Sequence, residues 1–239
     1  MTTPGMRRYR NRTADQATLV GPPGGGILDL TALFGRTAPV RLEIGCGHGE
    51  FISQSASAHP AEDHLGVEYD PLRVTKCAHK CLGAGAHNVR IFAAEALAFV
   101  RHRLADGTVS RIYVLFPDPW PKLAHRRRRL VNLSFLAELT RVAAPGCVLS
   151  FASDTHGYAM QVLSNLTLFP GHWRNLLLPA GYQVDRPVRW PTVFERHKRE
   201  EGCSIMHLRC ERTALPAPFT LGSPERSERG TAARGAAGG

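Results

Sequence analysis

The stretch Leu42-Glu43-Ile44-Gly45-Cys46-Gly47-His48-Gly49-Glu50 places Gly-x-Gly-x-Gly between an apolar run and a helix-forming segment. Glycines at such a junction let the backbone turn tightly and approach a ligand closely. Working outward, residues 40–44 read as a short buried strand and 50–58 as the helix after it. The alternation then continues. Strands are expected at 64–68, 89–93, 111–116 and 147–152, and helices at 71–82, 95–104 and 130–142, the last stopped by Pro145-Gly146. In the 130–142 segment, Leu130, Leu133, Phe135, Leu136 and Leu139 share one helical face. Strand and helix in strict turn imply a mostly parallel sheet with right-handed crossovers and a ligand site at the carboxyl ends of its strands.

Three acids refine the nature of that ligand. Glu43 stands inside the first apolar strand, two residues before Gly45. A carboxylate there faces naturally toward a cation, such as the methionyl end of S-adenosylmethionine. Glu68 closes the second strand, where a carboxylate accepts two hydrogen bonds from a ribose diol. Dinucleotides use the same position, so Glu68 alone does not discriminate. Glu95 follows the third strand; it suits an adenine amino group or the first turn of a helix. A dinucleotide site prefers Gly-x-Gly-x-x-Gly, and Glu50 stands where its third glycine belongs. Together, the acids and the glycine spacing favour a methyl donor, held by Glu43, Gly45, Gly47, Gly49, Glu68 and Glu95.

The fourth strand runs into Phe116-Pro117-Asp118-Pro119-Trp120-Pro121-Lys122. Its prolines hold each preceding residue out of helical geometry, so Asp118 sits on a stiff support beside the expected donor. The run Leu123-Ala124-His125-Arg126-Arg127-Arg128-Arg129 follows directly and would line the mouth of the site with phosphate-binding cations. Ser153-Asp154-Thr155 follows the fifth strand, and Pro191-Thr192-Val193-Phe194-Glu195-Arg196 comes late in the chain. Each of these also reads as a helix cap or turn.

The bulk properties agree. A chain of 239 residues, 43% hydrophobic, fits one α/β domain with loose ends. Its net charge of +10 suits a polyanionic partner. No apolar run is long enough for a bilayer, and neither a signal peptide nor metal-ligand spacing is read, so a cytoplasmic protein with reduced thiols is expected. Among the six cysteines, Cys77 and Cys81 are four apart, which reads as helix packing rather than half a metal site. Residues 1–26 read as an irregular basic segment, 27–212 as the folded domain and 213–239 as a disordered tail. Monomer and homodimer are not distinguished.

At these motifs the sequence resembles the bacterial tRNA (guanine-N7)-methyltransferase family, from about Leu33 to Arg212. The loop at 116–122 is its most specific hallmark, joined by Leu33-Phe34-Gly35, Ser153-Asp154 and Thr192 to Glu195. The resemblance implies a class I methyltransferase (Rossmann-like) fold: a seven-stranded, mostly parallel sheet with helices on both faces. It implies S-adenosylmethionine as cofactor, held by Glu43, Glu68, Glu95 and Asp118, with Asp118 also catalytic. Lys122, Asp154, Thr192, Val193, Phe194 and Glu195 would meet the substrate, and Leu123, Ala124, His125, Arg126, Arg127 and Arg128 would touch RNA. The implied target is a guanosine in the tRNA variable loop. Val193 replaces the family's lysine, and Leu123 and Ala124 dilute the basic run. These departures motivate one rival, a methyltransferase of small heteroaromatic molecules on the same scaffold. A second rival, a non-catalytic RNA-binding module, leaves the glycine turn and the acids without a purpose.

Overall fold

The computed structural model describes Gly21 and residues 25–215. The expectations for most of residues 1–26 and for 216–239 therefore lie outside the described residues. Helix α1 (Leu30–Phe34), capped by Asp29 and ended by Gly35, precedes strand β1 (Val40–Ile44). Then follow α2 (Glu50–Ala58), β2 (Asp63–Glu68), α3 (Pro71–Gly83), β3 (Val89–Ala93), α4 (Ala96–Arg103) and β4 (Val109–Leu115). A 3-10 helix (Leu123–Arg128) leads to α5 (Leu133–Val142), β5 (Ala143–Ser153) and α6 (His156–Thr167). The domain closes with β6 (Trp173–Asn175), β7 (Gln183–Val184), α7 (Val193–Glu200) and β8 (Met206–Arg212).

The sheet runs β3-β2-β1-β4-β5-β8-β6, seven strands in one path, with the two-residue β7 as an eighth beside β8. Strands β1 to β5 are parallel, and β8 runs antiparallel to both β5 and β6. Strand order reverses between β1 and β4, so the crevice at their carboxyl ends is the ligand position of such a sheet.

Alternation along the strands separates two faces. Leu42, Ile44, Ile112, Val114, Leu149 and Phe151 join Phe135, Leu139, Tyr158 and Val162 of α5 and α6 in the larger core. On the other face, α2 and α3 pack Ile52, Cys77 and Cys81 against Val89 and Ile91. Cys77 and Cys81 are thus core residues, and Cys77 Sγ lies 3.8 Å from Cys46 Sγ. On this second face α2 and α3 pack over β2 and β3, and Phe51 of α2 reaches Tyr113 of β4. Over β4, β5 and β8 the segment 186–190 takes their place and leaves a cavity beneath it.

Several boundaries differ from the sequence expectation. Strand β4 starts at Val109 and stops at Leu115, because Phe116 turns out of it at φ 53°. The helix expected from 130 starts at Leu133, where the Asn132 side chain accepts from Phe135 N at 3.0 Å. Pro145-Gly146 does not stop that helix. Strand β5 begins at once with Ala143, and the proline and glycine lie in a register shift between Ala143 and Val148. At the end of the domain, Thr213 N still donates to His172 O at 2.9 Å.

Candidate active site

Gly45, Gly47 and Gly49 all take positive φ, at 74°, 54° and 82°. They differ in purpose. A Cβ on Gly45 would meet open space and one on Gly47 would come no nearer than 4.0 Å, to Gly45 O, at the side where a ligand approaches. A Cβ on Gly49 would stand 2.7 Å from Cys77 Sγ and 3.0 Å from Cys77 Cα, so Gly49 lets α2 start against α3. Gly49 therefore carries a packing duty beside its expected ligand contact.

Glu68 stabilises the turn: its Oε2 accepts from Gly47 N and its Oε1 from Asp70 N, both at 3.0 Å. Glu43 is buried, and its Oε2 has no hydrogen-bond partner among the described residues. Burial, and after it the charge of Glu50, push Glu43 up to about 8. A buried acid with an orphan oxygen beside an open glycine turn fits a cationic ligand, so these residues fit S-adenosylmethionine. Glu95 caps α4, with its carboxylate accepting from Leu97 N at 2.9 Å and Ala98 N at 2.7 Å. Its helix-acid reading is therefore satisfied, while the same residue lines the cleft. That cleft, of about 290 Å³, brings together Gly45, Glu68, Glu95, Phe116, Asp118 and Trp120.

The Asp118 loop is held in an unusual shape. Phe116 and Trp120 both have positive φ, at 53° and 40°, which non-glycine residues adopt only when their surroundings compel it. Arg129 supplies part of that compulsion. It is 1% exposed, donates from Nε to Pro119 O at 2.8 Å and from Nη1 to Gln161 Oε1 at 2.7 Å, and lies over the Tyr158 ring. Arg129 is thus a buried anchor, which corrects its place in the expected phosphate-binding run. Arg126, Arg127 and Arg128 remain exposed, as do Lys122, Leu123 and Ala124. Arg128 lies over the Trp120 ring, and His125 meets the same ring edge-on. The 3-10 helix is thereby fastened to the loop that carries Asp118.

The two late motifs meet beside this loop. Thr192 Oγ1 accepts from Glu195 N at 3.0 Å and so caps α7. Glu195 is buried and paired with Arg199 at 2.8 Å. Phe194 packs on Phe116 with ring centroids 5.1 Å apart, which joins α7 to the Asp118 loop. Val193 is half-buried and carries no charge to the site. Sequence reasoning missed Lys198, whose Nζ donates to Glu201 at 2.8 Å and lies 3.9 Å from Asp154 and 5.6 Å from the Phe194 ring. The signal was the i,i+4 spacing from Phe194. A cation thus stands beside Asp154 although residue 193 is not lysine. Lys122 lies at the start of the 3-10 helix, and no contact joins it to this group among the described residues.

The family described as "Putative methyltransferase" matches residues 37–208. The chain is 36% identical over 189 residues to the tRNA (guanine-N(7)-)-methyltransferase of Halorhodospira halophila, covering 79% of this chain and 81% of that one. It is 40% identical over 185 residues to the enzyme of the same name from Leifsonia xyli subsp. xyli, covering 77% and 81%. Among solved structures, the 16S rRNA methyltransferase KamB superposes with a TM-score of 0.59 at 17% identity, over 82% of this chain and 98% of that chain, a likeness of fold. With a glycine turn, acids and proline-rich loop assembled at one cleft, and relatives matching over more than three quarters of its length, the chain belongs to the tRNA (guanine-N(7)-)-methyltransferase family.

Proposed function

We propose that this protein transfers a methyl group from S-adenosylmethionine to N7 of a guanosine in tRNA, in the variable loop. One observation carries the reading. The cleft at the ends of β1, β2 and β4 is walled by the glycine turn, Glu68 and Glu95 on one side and by the Asp118 loop with its arginine helix on the other.

When bound, S-adenosylmethionine supplies a methyl group on a positively charged sulfur. In this reading Glu43 gives up its proton as the cation arrives and then offsets that charge from within the sheet, and Glu68 holds the ribose diol while it fixes Gly47. Glu95 accepts from the adenine amino group with lone pairs its capping bonds leave free. Guanine N7 carries an in-plane lone pair and needs no base to remove a proton. The work left to the protein is alignment and charge. The guanine N1–H and N2–H₂ edge presents donors, which Asp118 or Asp154 accepts. A carboxylate there also offsets the positive charge that develops on the ring. Thr192 to Glu195 position the base from α7, and Lys122 and residues 123–128 meet the RNA backbone. A base within folded tRNA has to be unstacked first, at a cost of about a few kcal/mol.

The exposed arginines at the cleft mouth weigh against a small heteroaromatic acceptor. The deciding experiment is incubation with labelled S-adenosylmethionine and unmodified tRNA, followed by nucleoside analysis. Label in 7-methylguanosine is expected. Label in any other nucleoside, or none, overturns the reading.

A further inference from the structure

On the second face of the sheet, beneath segment 186–190, β4, β5 and β8 carry polar side chains where the interior of an α/β sheet ordinarily carries apolar ones. Tyr113, Ser150 and Arg209 stand abreast in register across the strands, as do Leu115, Ala152 and His207. Together with the segment above, these side chains line a half-open chamber of about 320 Å³. Leu115 lines both this chamber and the donor cleft, so the two cavities are neighbours.

The chamber is built around positive charge. Arg111, Arg186 and Arg209 all line it and are partly buried. None of the three side chains has an ion pair or hydrogen bond among the described residues. The acids nearby are committed elsewhere: Glu62 to Arg41 at 2.6 Å, Glu195 to Arg199 at 2.8 Å and Asp185 to Arg199 at 3.4 Å. Burial, and then the charges of Arg186 and Arg111, hold the Arg209 guanidinium below its ordinary value. His207 adds an independent sign. It is 5% exposed, lines the chamber, and its buried Nε2 has no hydrogen-bond partner among the described residues. Like charges gathered partly out of water with no counter-charge are costly, unless an anion completes them.

Guanidinium groups match the tetrahedral oxygens of phosphate with paired, charge-assisted hydrogen bonds. The chamber also offers ring faces, since Phe51 packs on Tyr113 at 4.6 Å and on Trp190 at 6.1 Å between centroids. Arginines beside aromatic rings suit a phosphate that carries a base. We propose that this chamber is a phosphate subsite, in which Arg111, Arg186 and Arg209 take the oxygens of a nucleotide phosphate and His207 Nε2 adds a further polar contact. In the tRNA reading, on which this step rests, the phosphate belongs to the strand that carries the target guanosine and enters beside it. A free phosphomonoester has the same chemistry.

The test uses the full chain as wild type, as the Arg111→Gln/Arg209→Gln double variant and as Arg186→Gln. Three readouts are taken: tRNA affinity against salt, melting temperature with added inorganic phosphate, and S-adenosylmethionine affinity. In the double variant, tRNA affinity is expected to fall about tenfold and the salt slope by about one to two, with donor affinity unchanged. Its melting temperature without phosphate should not fall, since two mutually repelling charges are gone. Arg186→Gln, outside the sheet, repeats the test if the double variant does not fold. Phosphate raising the melting temperature of wild type but not of the variants identifies a site open to small anions. Loss of tRNA affinity with no phosphate effect identifies the polynucleotide as the source. If wild type makes no 7-methylguanosine yet shows the variant-sensitive phosphate effect, the tRNA reading falls and the chamber stands. Folded variants with wild-type tRNA affinity, salt slope and phosphate response overturn the proposal.

Discussion

The Glu68 carboxylate and the Gly47 amide are joined by a 3.0 Å hydrogen bond, so the end of one strand fixes the glycine turn of its neighbour. The second oxygen accepts from Asp70 N and sets the start of α3. Glu68 therefore shapes the donor cleft even before it touches a donor.

Replacing Glu68 by Ala should weaken S-adenosylmethionine binding by about 1–3 kcal/mol, the scale of charge-assisted hydrogen bonds. Melting should fall as well, because two backbone amides lose their acceptor. Calorimetric titration gives the first effect and thermal unfolding the second. Wild-type affinity in a folded Glu68→Ala variant would remove Glu68 from the donor site.

Glu43 should make stability depend on pH. Burial above all, with the charges of Glu50 and Glu68 behind it, pushes this carboxyl up to about 8. The folded state then holds a proton that the unfolded chain releases near the ordinary carboxyl value. The stability from this group is complete below that value and is lost as pH rises through about 8. The slope is at most about 1.4 kcal/mol per pH unit. Urea unfolding between those limits should show a flatter pH profile for Glu43→Gln than for wild type. Parallel profiles would mean that Glu43 is ionised in the fold.

The arginines after the Asp118 loop should divide into two kinds. Replacing exposed Arg126, Arg127 and Arg128 by Gln should weaken tRNA binding and lower its salt slope by about two to three, with folding intact. Arg129→Ala should instead cost about 2–4 kcal/mol of stability, since charged hydrogen bonds to Pro119 O and Gln161 Oε1 are lost. The salt slope of a folded Arg129→Ala protein should stay near that of wild type. A slope that falls equally for both kinds would place Arg129 on the RNA.

This division marks where the sequence stopped being readable. Periodicity found β1 to β5 and the four helices between them, α2 to α5, because alternation and apolar runs report burial directly, but not α1, α6 or α7. It could not separate Arg129 from its neighbours, since burial of one cation in a run of four depends on Tyr158 and Gln161, far along the chain. The same holds for Lys198, which pairs with its neighbour Glu201 at 2.8 Å and also reaches Asp154 of another motif at 3.9 Å. The short β6 and β7 carry too few residues for any period to show. The polar face of β4, β5 and β8 was hidden too, for Arg111 and Arg209 look like ordinary surface charges until the strands are aligned.

Asp118 should matter for methyl transfer far more than for folding. It is exposed, at the mouth of the cleft, on a loop held by Arg129 through Pro119 and by Phe194 through Phe116. Replacing an exposed side chain that makes no hydrogen bond or ion pair among the described residues should shift stability by no more than about 0.5 kcal/mol. Asp118→Asn keeps the size but turns donors toward the guanine N1–H and N2–H₂, where donor meets donor. Asp118→Ala removes the acceptor and leaves room for water. Asn should therefore be at least as impaired as Ala, with single-turnover methylation slowed by about 10²–10³-fold, the scale for losing one preorganised hydrogen-bonding group. Circular dichroism controls for folding, and S-adenosylmethionine titration shows whether donor binding survives. A wild-type rate in the Asn variant would take Asp118 out of the mechanism. Asp154 would then be the acceptor to test, and because Lys198 lies 3.9 Å from it, the Asp154→Asn and Lys198→Met variants should be made together.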